Sequence, residues 1–290
     1  MTQDVSRPAG AGSAPAPLID GGPRRIHIRP VSSRLEFAAC AALQAEVWGS
    51  EYNDAVPASI MQVATKYVGG LVLGAFTDAD ELVGFLFGLT GVDDGEIVHW
   101  SHMLGVRDVA RDLGIGRMLK EAQRAELAAR GIHRMSWTFD PLVAKNAYLN
   151  LNRLGARVTA YVPNLYGAST SPRHYGIATD RLIVTLDTRA AAPPADAFTP
   201  SLERLPVLTP ALQDDDVAVD FAAPPPELWI EIPADFALVM EKAPTDAVAW
   251  RETVRANFQW ALGLDYEVIG LQRDAVSSRS FYLLRRKGGA

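Results

Sequence analysis

The chain contains 290 residues with a formal net charge of −6, and 48% of them are hydrophobic. This length suffices for one large domain or two small ones. An acidic chain without a long Lys/Arg cluster excludes a general nucleic-acid-binding protein, which needs a basic face. The single cysteine, Cys40, excludes an internal disulfide framework and a metal site built from several cysteines. Its apolar neighbours predict a buried thiol.

Residues 1–22 are rich in Ala, Pro and Gly and have no apolar signal region, which predicts a disordered tail on a cytoplasmic protein. No apolar run reaches the roughly 18 residues of a membrane span, so no membrane partner is expected. A helix capped by Ser33, with Glu36 three residues later, is predicted at residues 33–48. Further helices are predicted at residues 58–67, 115–130 and 142–154, and strands at 25–30, 71–76, 82–89, 97–106, 134–139, 156–162 and 181–186.

The order β-α-α-β-β-β-α-β-α-β-β predicts an α/β fold over residues 23–189. A Pro- and Ala-rich linker is predicted at residues 190–226. Residues 227–290 are predicted to form a small α/β extension, with a helix at 246–262 capped by Thr245. Its β-α-β-β order repeats that of residues 134–186, so the extension is either a half-copy of the first fold or a lid and dimer contact.

The most informative segment is the strand, loop and helix at residues 101–120. Its loop reads Arg-Asp-Leu-Gly-Ile-Gly at 111–116, and glycines without a Cβ let phosphate oxygens approach the backbone. The first N–H groups of the next helix have no partner within it. Local positive charge would come from Arg107, Arg111, Arg117 and Lys120. The pattern predicts a phosphate site, with a plain glycine turn as the alternative.

The loop at 111–116, the strand ending at Val106 and the helix ending at Gly155 together resemble the GNAT acyltransferases over residues 25–187. The pieces at 140–142, 146–147 and 179–182 are similar to a branch of predicted acetyltransferases in that superfamily. The resemblance implies the GNAT fold, a mixed, mostly antiparallel and splayed sheet flanked by helices. It also implies acetyl-CoA or another acyl-CoA as cosubstrate, without a metal. The residues implied to bind it are Met103, Leu104, Val106, Arg111, Leu113, Gly114, Ile115, Gly116, Arg117 and Asn146.

Acyl transfer to an amine needs a base, because alkylamines are mostly protonated at neutral pH. His102 stands where arylalkylamine N-acetyltransferases, which this strand resembles, carry a histidine base. A hydrogen-bonded core histidine is the alternative. Trp100 shares its face of the strand, whereas His99 faces the other side and is predicted to be structural. Leu151 occupies the position of the family's tyrosine acid, so Tyr148, one turn earlier, is either a substitute acid or a packing aromatic.

The acceptor pocket is predicted from segments that lie far apart in the sequence. Asp140 either caps a turn or binds the substrate amine, and Arg173 suits a substrate carboxylate. The candidate set is Glu46, Trp48, Trp100, Asp140, Tyr166 and Arg173.

The resemblance implies direct transfer of an acyl group, with acetyl expected, to the amine of a small molecule in a ternary complex. One alternative is another acyl-CoA, such as succinyl-CoA, acting with amino acids. Two others are a protein-modifying acetyltransferase and a CoA-binding sensor that has lost catalysis. A homodimer is left open.

Overall fold

The computed structural model describes residues 25–50, 52, 54–167, 177–194, 206–208, 223–274 and 279–288. The first unit contains β1 Ile26–Pro30, α1 Arg34–Trp48, α2 Ala58–Tyr67, β2 Leu71–Thr77, β3 Leu82–Asp93, β4 Glu96–Val106, α3 Ile115–Ala129, β5 Arg134–Phe139, α4 Ala144–Ala147, β6 Arg157–Val162 and β7 Arg181–Asp187. Within this described part, no helix is both long and apolar enough to span a bilayer.

The first unit is built on a seven-stranded sheet in the order β1-β2-β3-β4-β5-β7-β6. Neighbouring strands are antiparallel except for β4 and β5, which pair in parallel. The predicted mixed and mostly antiparallel sheet is therefore confirmed. Because α1 and α2 cover one face and α3 the other, strand β2 is buried along its whole length.

Local sequence signals place most helix ends. Ser33 and Glu36 form the predicted capping box: the Ser33 Oγ accepts the Glu36 N–H at 3.2 Å, and the Glu36 carboxylate accepts the Ser33 N–H at 3.0 Å. The helix predicted at 142–154 is wrong in detail, since α4 passes into a π-helical turn over Tyr148–Arg153. Cys40 is a buried thiol, as predicted, and burial raises its pKa to about 12.

The second unit contains β8 Val207–Leu208, β9 Glu227–Pro233, α5 Phe236–Lys242, α6 Pro244–Gly263, β10 Tyr266–Arg273 and β11 Arg279–Arg286. The predicted cap at Thr245 is wrong. The chain leaves α5 through Ala243, which is the N-cap of α6, and Pro244 fits the first turn because that turn needs no N–H from it. Sequence reasoning also missed α5.

The second sheet has the order β10-β11-β9-β8, with β8 parallel to β9 and the other pairs antiparallel. The strands β4, β5, β7 and β6 have the same pairing pattern. We therefore propose that residues 227–290 are a half-copy of the preceding fold. The two units share one hydrophobic core, in which Trp137 and Leu182 belong to the same cluster as Phe258 and Tyr282.

Candidate functional site

A fork between β4 and β5 is the central feature of the first unit. The two strands pair only where residues 98–100 lie beside residues 134–136. Beyond that point, among the residues that the structure describes, β4 continues to Val106 paired with β3 alone, and β5 continues to Phe139 paired with β7 alone. The second half of β4 therefore has a free backbone edge.

The direction of the backbone groups on this free edge follows from the β3–β4 pairing. The Arg107 N–H donates to the Val83 carbonyl at 2.9 Å. Because alternate residues of an antiparallel strand point to opposite edges, Leu104 and Val106 direct their N–H and C=O groups into the fork. Met103 pairs with β3 by the same alternation and its side chain is buried, so the backbone role predicted for it is wrong.

The free edge leads to the N-terminus of α3. Gly114 is the N-cap of this helix in the left-handed region, with φ of 75°, and no side chain caps the helix. The first helical bond runs from the Met118 N–H to the Gly114 carbonyl at 3.0 Å, which leaves the N–H groups of residues 115–117 without a helical partner. A Cβ on Gly114 would meet no atom within 4 Å, and one on Gly116 only the Leu104 Cδ2 at 3.7 Å.

The side-chain charge predicted around this loop is neutralised within the protein. The ion pairs are Arg107 with Glu46 and Glu81, Arg111 with Asp108, and Arg117 with Glu121. Lys120 turns inward and is buried. Lys145, at the start of α4, pairs with Asp112 across the mouth of the fork. The backbone amides of α3, and not a cluster of free cations, are therefore the groups that can hold an anion.

A β-bulge places His102 beside the fork. Phe87 pairs with Met103 and Gly88 with Ser101, so His102 is the extra residue of β4. Its ring contacts Phe87 edge to face on the side of the sheet covered by α1 and α2, with centroids 5.9 Å apart. Burial lowers the pKa of His102, and the Asp54 carboxylate opposes that change. A neutral half-buried imidazole of this kind can accept a proton.

His99 lies on the opposite face and is held by two hydrogen bonds. Thr90 donates its hydroxyl proton to the Gly69 carbonyl, so its oxygen accepts from Nδ1 of His99 at 3.0 Å. Nε2 of His99 then accepts from the Gln123 amide, also at 3.0 Å. Burial is the main cause that lowers the pKa of His99 to about 4. His99 is structural, as its position on the strand predicts.

The low pKa of His99 makes stability depend on pH. An unfolded histidine binds a proton near pH 6.5, whereas the folded one does so near 4, so stability falls as the pH drops through this window. Between pH 7 and pH 5 this difference in pKa is expected to lower the free energy of unfolding by about 2 kcal/mol. Urea unfolding at both pH values should show this loss in the native chain and a smaller loss in His99→Gln. Equal losses would contradict it.

An aromatic and polar cluster lies on the His102 side of the sheet. Trp48 stacks on Tyr52 with ring centroids 5.5 Å apart. The pKa of Tyr52 is raised by burial and by the nearby Asp54 and Tyr166, while Arg181 opposes them. These groups therefore lie near Tyr52, which packs against the core on the α1 and α2 side.

Tyr166 of this cluster contacts side chains from β5 and β7. Tyr166 Oη lies 3.1 Å from the Thr138 hydroxyl, and the Arg181 guanidinium lies 5.3 Å from the centre of the Tyr166 ring. Thr138 and Arg181 were missed from the sequence. Thr138 could have been predicted from the strand alternation, because its neighbours in β5 are buried on the other face. Arg181 lies in the piece at 179–182 that resembles the acetyltransferase branch, but that resemblance gave it no role in the site.

Several predicted site residues lie elsewhere. Asp140 is buried and accepts two hydrogen bonds from Arg251, at 2.8 and 2.6 Å, and one from the Leu142 N–H, so its predicted contact with a substrate amine is wrong. Glu46 forms an ion pair with Arg107. Of the other predicted residues, Trp100 is partly buried, whereas Leu113, Asn146 and Tyr148 are exposed. Arg173 lies outside the described residues. The described ranges also contain no group of three His, Cys, Asp or Glu residues placed to hold a metal ion.

No protein-family model matches the chain, and neither does any curated protein. Similar solved structures include the ribosomal-protein-S18-alanine N-acetyltransferase from Escherichia coli, at 16% identity and a TM-score of 0.44 over 58% of this chain and 97% of that one. Another is a protein from Salmonella typhimurium with its cofactor acetyl-CoA, at 20% identity and a TM-score of 0.45, covering 59% and 98%. A third is the acetyltransferase of the GNAT family from Streptococcus pneumoniae, at 12% identity and a TM-score of 0.45, covering 56% and 98%. On its own strand order, single parallel pair and forked β4–β5 edge, the first unit of this chain has the GNAT fold.

Proposed function

We propose that this chain is an N-acyltransferase that moves an acyl group, acetyl in the first instance, from acyl-CoA to the amine of a small molecule. The observation that carries the proposal is the free edge of β4 that leads to the uncapped N-terminus of α3. A pantetheine arm can add to this edge as a further strand would, and its amides match the backbone groups of Leu104 and Val106. A diphosphate at the end of that arm suits the N–H groups of residues 115–117.

The open space beside Gly114 and Gly116 supports this fit, since a Cβ on Gly114 would meet no atom within 4 Å and one on Gly116 only the Leu104 Cδ2 at 3.7 Å. Acyl-CoA supplies an activated thioester carbonyl. The chain holds that carbonyl in line with the acceptor, which is a positioning effect. A backbone N–H on the free edge of β4 is placed to polarise the carbonyl oxygen.

On the acceptor side, His102 is the base that takes a proton from the amine, directly or through water. Asp54 favours the protonated imidazole that results. The rings of Trp48, Tyr52 and Tyr166 suit a small aromatic or apolar amine, and Arg181, which is ion-paired with Asp140, lies against the Tyr166 ring.

The change that tests this role is His102→Ala. Loss of the base is expected to lower kcat by about 100-fold or more near neutral pH, while the affinity for acetyl-CoA stays the same. Calorimetry with acetyl-CoA and thiol release over a panel of small amines and N-terminal peptides provide the two measurements. The matched control is His27→Ala, which removes an exposed histidine from β1 and should leave both values unchanged.

Three outcomes of these measurements decide the proposal. Amine-dependent thiol release supports a transferase, and its ranking of amines, peptides and acyl-CoA donors identifies the substrate class. Binding without release from any acceptor would instead favour a CoA-binding sensor. A native chain that does not bind acetyl-CoA at all would overturn the proposal.

A further inference from the structure

Lys120 is a buried lysine that the proposed chemistry has not used. Its Nζ donates to the Ser101 hydroxyl at 2.8 Å and lies 4.0 Å from the centre of the Trp137 ring. The residue is only 6% exposed, and no carboxylate among the described residues pairs with it. A buried ammonium with only neutral partners is costly. Such a group is expected where an anion arrives during function.

The partners of Lys120 place its ammonium at the apex of the fork. Ser101 directly follows Trp100, the last residue of β4 that pairs with β5. Trp137 directly follows Ser136, the last residue of β5 that pairs with β4. The two strands separate at this level, with Lys120 on the α3 side of the sheet. His102, one residue beyond Ser101, lies on the opposite side.

The length of the free edge determines which part of a bound ligand reaches Lys120. From Val106, beside the α3 N-terminus, to Ser101 the strand measures about 13 Å at about 3.3 Å per residue, because the bulge makes this segment span only the steps from Gly84 to Gly88 of β3. An extended phosphopantetheine arm is long enough to cover this edge from the amides of α3. When its phosphate end lies at the amides of α3, its sulfur therefore reaches the apex, between His102 on one face and Lys120 on the other.

We propose that Lys120 is the proton donor to the departing thiolate, an inference that rests on the proposed function. In this step the acceptor nitrogen bonds to the acyl carbon while the carbon–sulfur bond breaks and its electron pair passes to sulfur. Nζ of Lys120 gives its proton to the sulfur, and His102 takes the proton that the nitrogen loses. Exchange with water then returns both side chains to their starting states.

The acidity of Lys120 suits this role. An ordinary lysine, with a pKa of about 10.4, is a weaker acid than a thiol, with a pKa of about 8.5, so it protonates a thiolate only uphill. Burial lowers the pKa of Lys120 well below its usual value and so brings it closer to that of the thiol, which makes the proton transfer less uphill. His99 is a titratable neighbour of Lys120, and its hydrogen bonds and low pKa keep it neutral. Leu151, in the position of the family's tyrosine, is buried and supplies no proton.

The test follows ionisation of the thiol of CoA bound to the full chain, by ultraviolet absorbance of the thiolate over a range of pH. The Lys120 ammonium is expected to stabilise the thiolate, so the bound thiol should titrate at least one pH unit lower in the native chain than in Lys120→Met. Desulfo-CoA, which lacks the sulfur, should bind both proteins equally within twofold. Ser101→Ala frees Nζ from its hydroxyl partner, so the thiol of bound CoA should titrate at a different pH from that in the native chain. This second variant decides the matter if Lys120→Met does not fold.

Equal thiol titration in the native chain and the variant would overturn the role of Lys120. Selective loss of succinyl-CoA binding in Lys120→Met, with thiol ionisation unchanged, would also overturn it, because the lysine would then read a carboxylate on the acyl group. A native chain that fails to bind desulfo-CoA would count against the proposed function itself. Failure of the inference and failure of the function are therefore distinguishable.

Discussion

Arg251→Met is expected to lower the free energy of unfolding by about 3 kcal/mol or more, as breaking a buried ion pair does. The variant leaves the Asp140 carboxylate buried, with only Arg181 nearby at 3.3 Å. The carboxylate lies at the end of β5 and the guanidinium on α6, so the pair joins the two units inside their shared core. Urea unfolding measures the loss.

Arg285→Met is the matched control for this prediction. It breaks an exposed pair with Glu227 and should cost at most about 1 kcal/mol. Adding Asp140→Asn to Arg251→Met removes the uncompensated charge and should recover part of the stability. Equal stability of Arg251→Met and Arg285→Met would show that Asp140 tolerates the loss of its partner and would contradict the prediction.

Gly116→Val is expected to weaken binding of acetyl-CoA by about 100-fold, or about 2.7 kcal/mol, without unfolding the chain. A Cβ at this position meets no protein atom closer than the Leu104 Cδ2 at 3.7 Å, so the added side chain occupies only the space proposed for the diphosphate. Gly114→Val should also prevent binding, but its φ of 75° adds backbone strain to the obstruction. Calorimetry with acetyl-CoA, together with urea unfolding, separates the two effects.

Gly91→Val is the control for the obstruction at Gly116. Gly91 also has open space around its missing Cβ and an ordinary φ, but it lies on β3 away from the fork. Its affinity for acetyl-CoA should match that of the native chain. If Gly116→Val bound acetyl-CoA as tightly as Gly91→Val does, the phosphate would lie elsewhere and the proposed coenzyme site would be wrong.

The sequence predicts the first fold well because its signals are local. Capping residues, glycine turns and alternating strands lie within a few positions of the elements they define, as with Ser33 and Glu36. The α3 loop and the face of His102 could be predicted for the same reason. The bulge leaves Trp100 and His102 on the same side of β4 as regular alternation does.

Errors arise where a partner lies far away in the sequence. The substrate role predicted for Asp140 is wrong because Arg251, which neutralises it, is 111 positions later. The alternative role in a turn is local, and the hydrogen bond from the Leu142 N–H confirms it. The positive charge predicted at Arg107 is also neutralised from far away in the sequence, since Glu46 and Glu81 come from other elements. The inward turn of Lys120 depends on Trp137, and neither spacing nor helical period shows that contact.

The bulge in β4 has a consequence for how this strand can evolve. Deleting His102, the extra residue of β4, would restore simple pleating and leave the surviving pairs on both sides in register. The sheet would keep its topology, but it would lose the extra residue that carries the imidazole. A homologue shortened here would then retain the shape of an acyltransferase without its means of activating the amine.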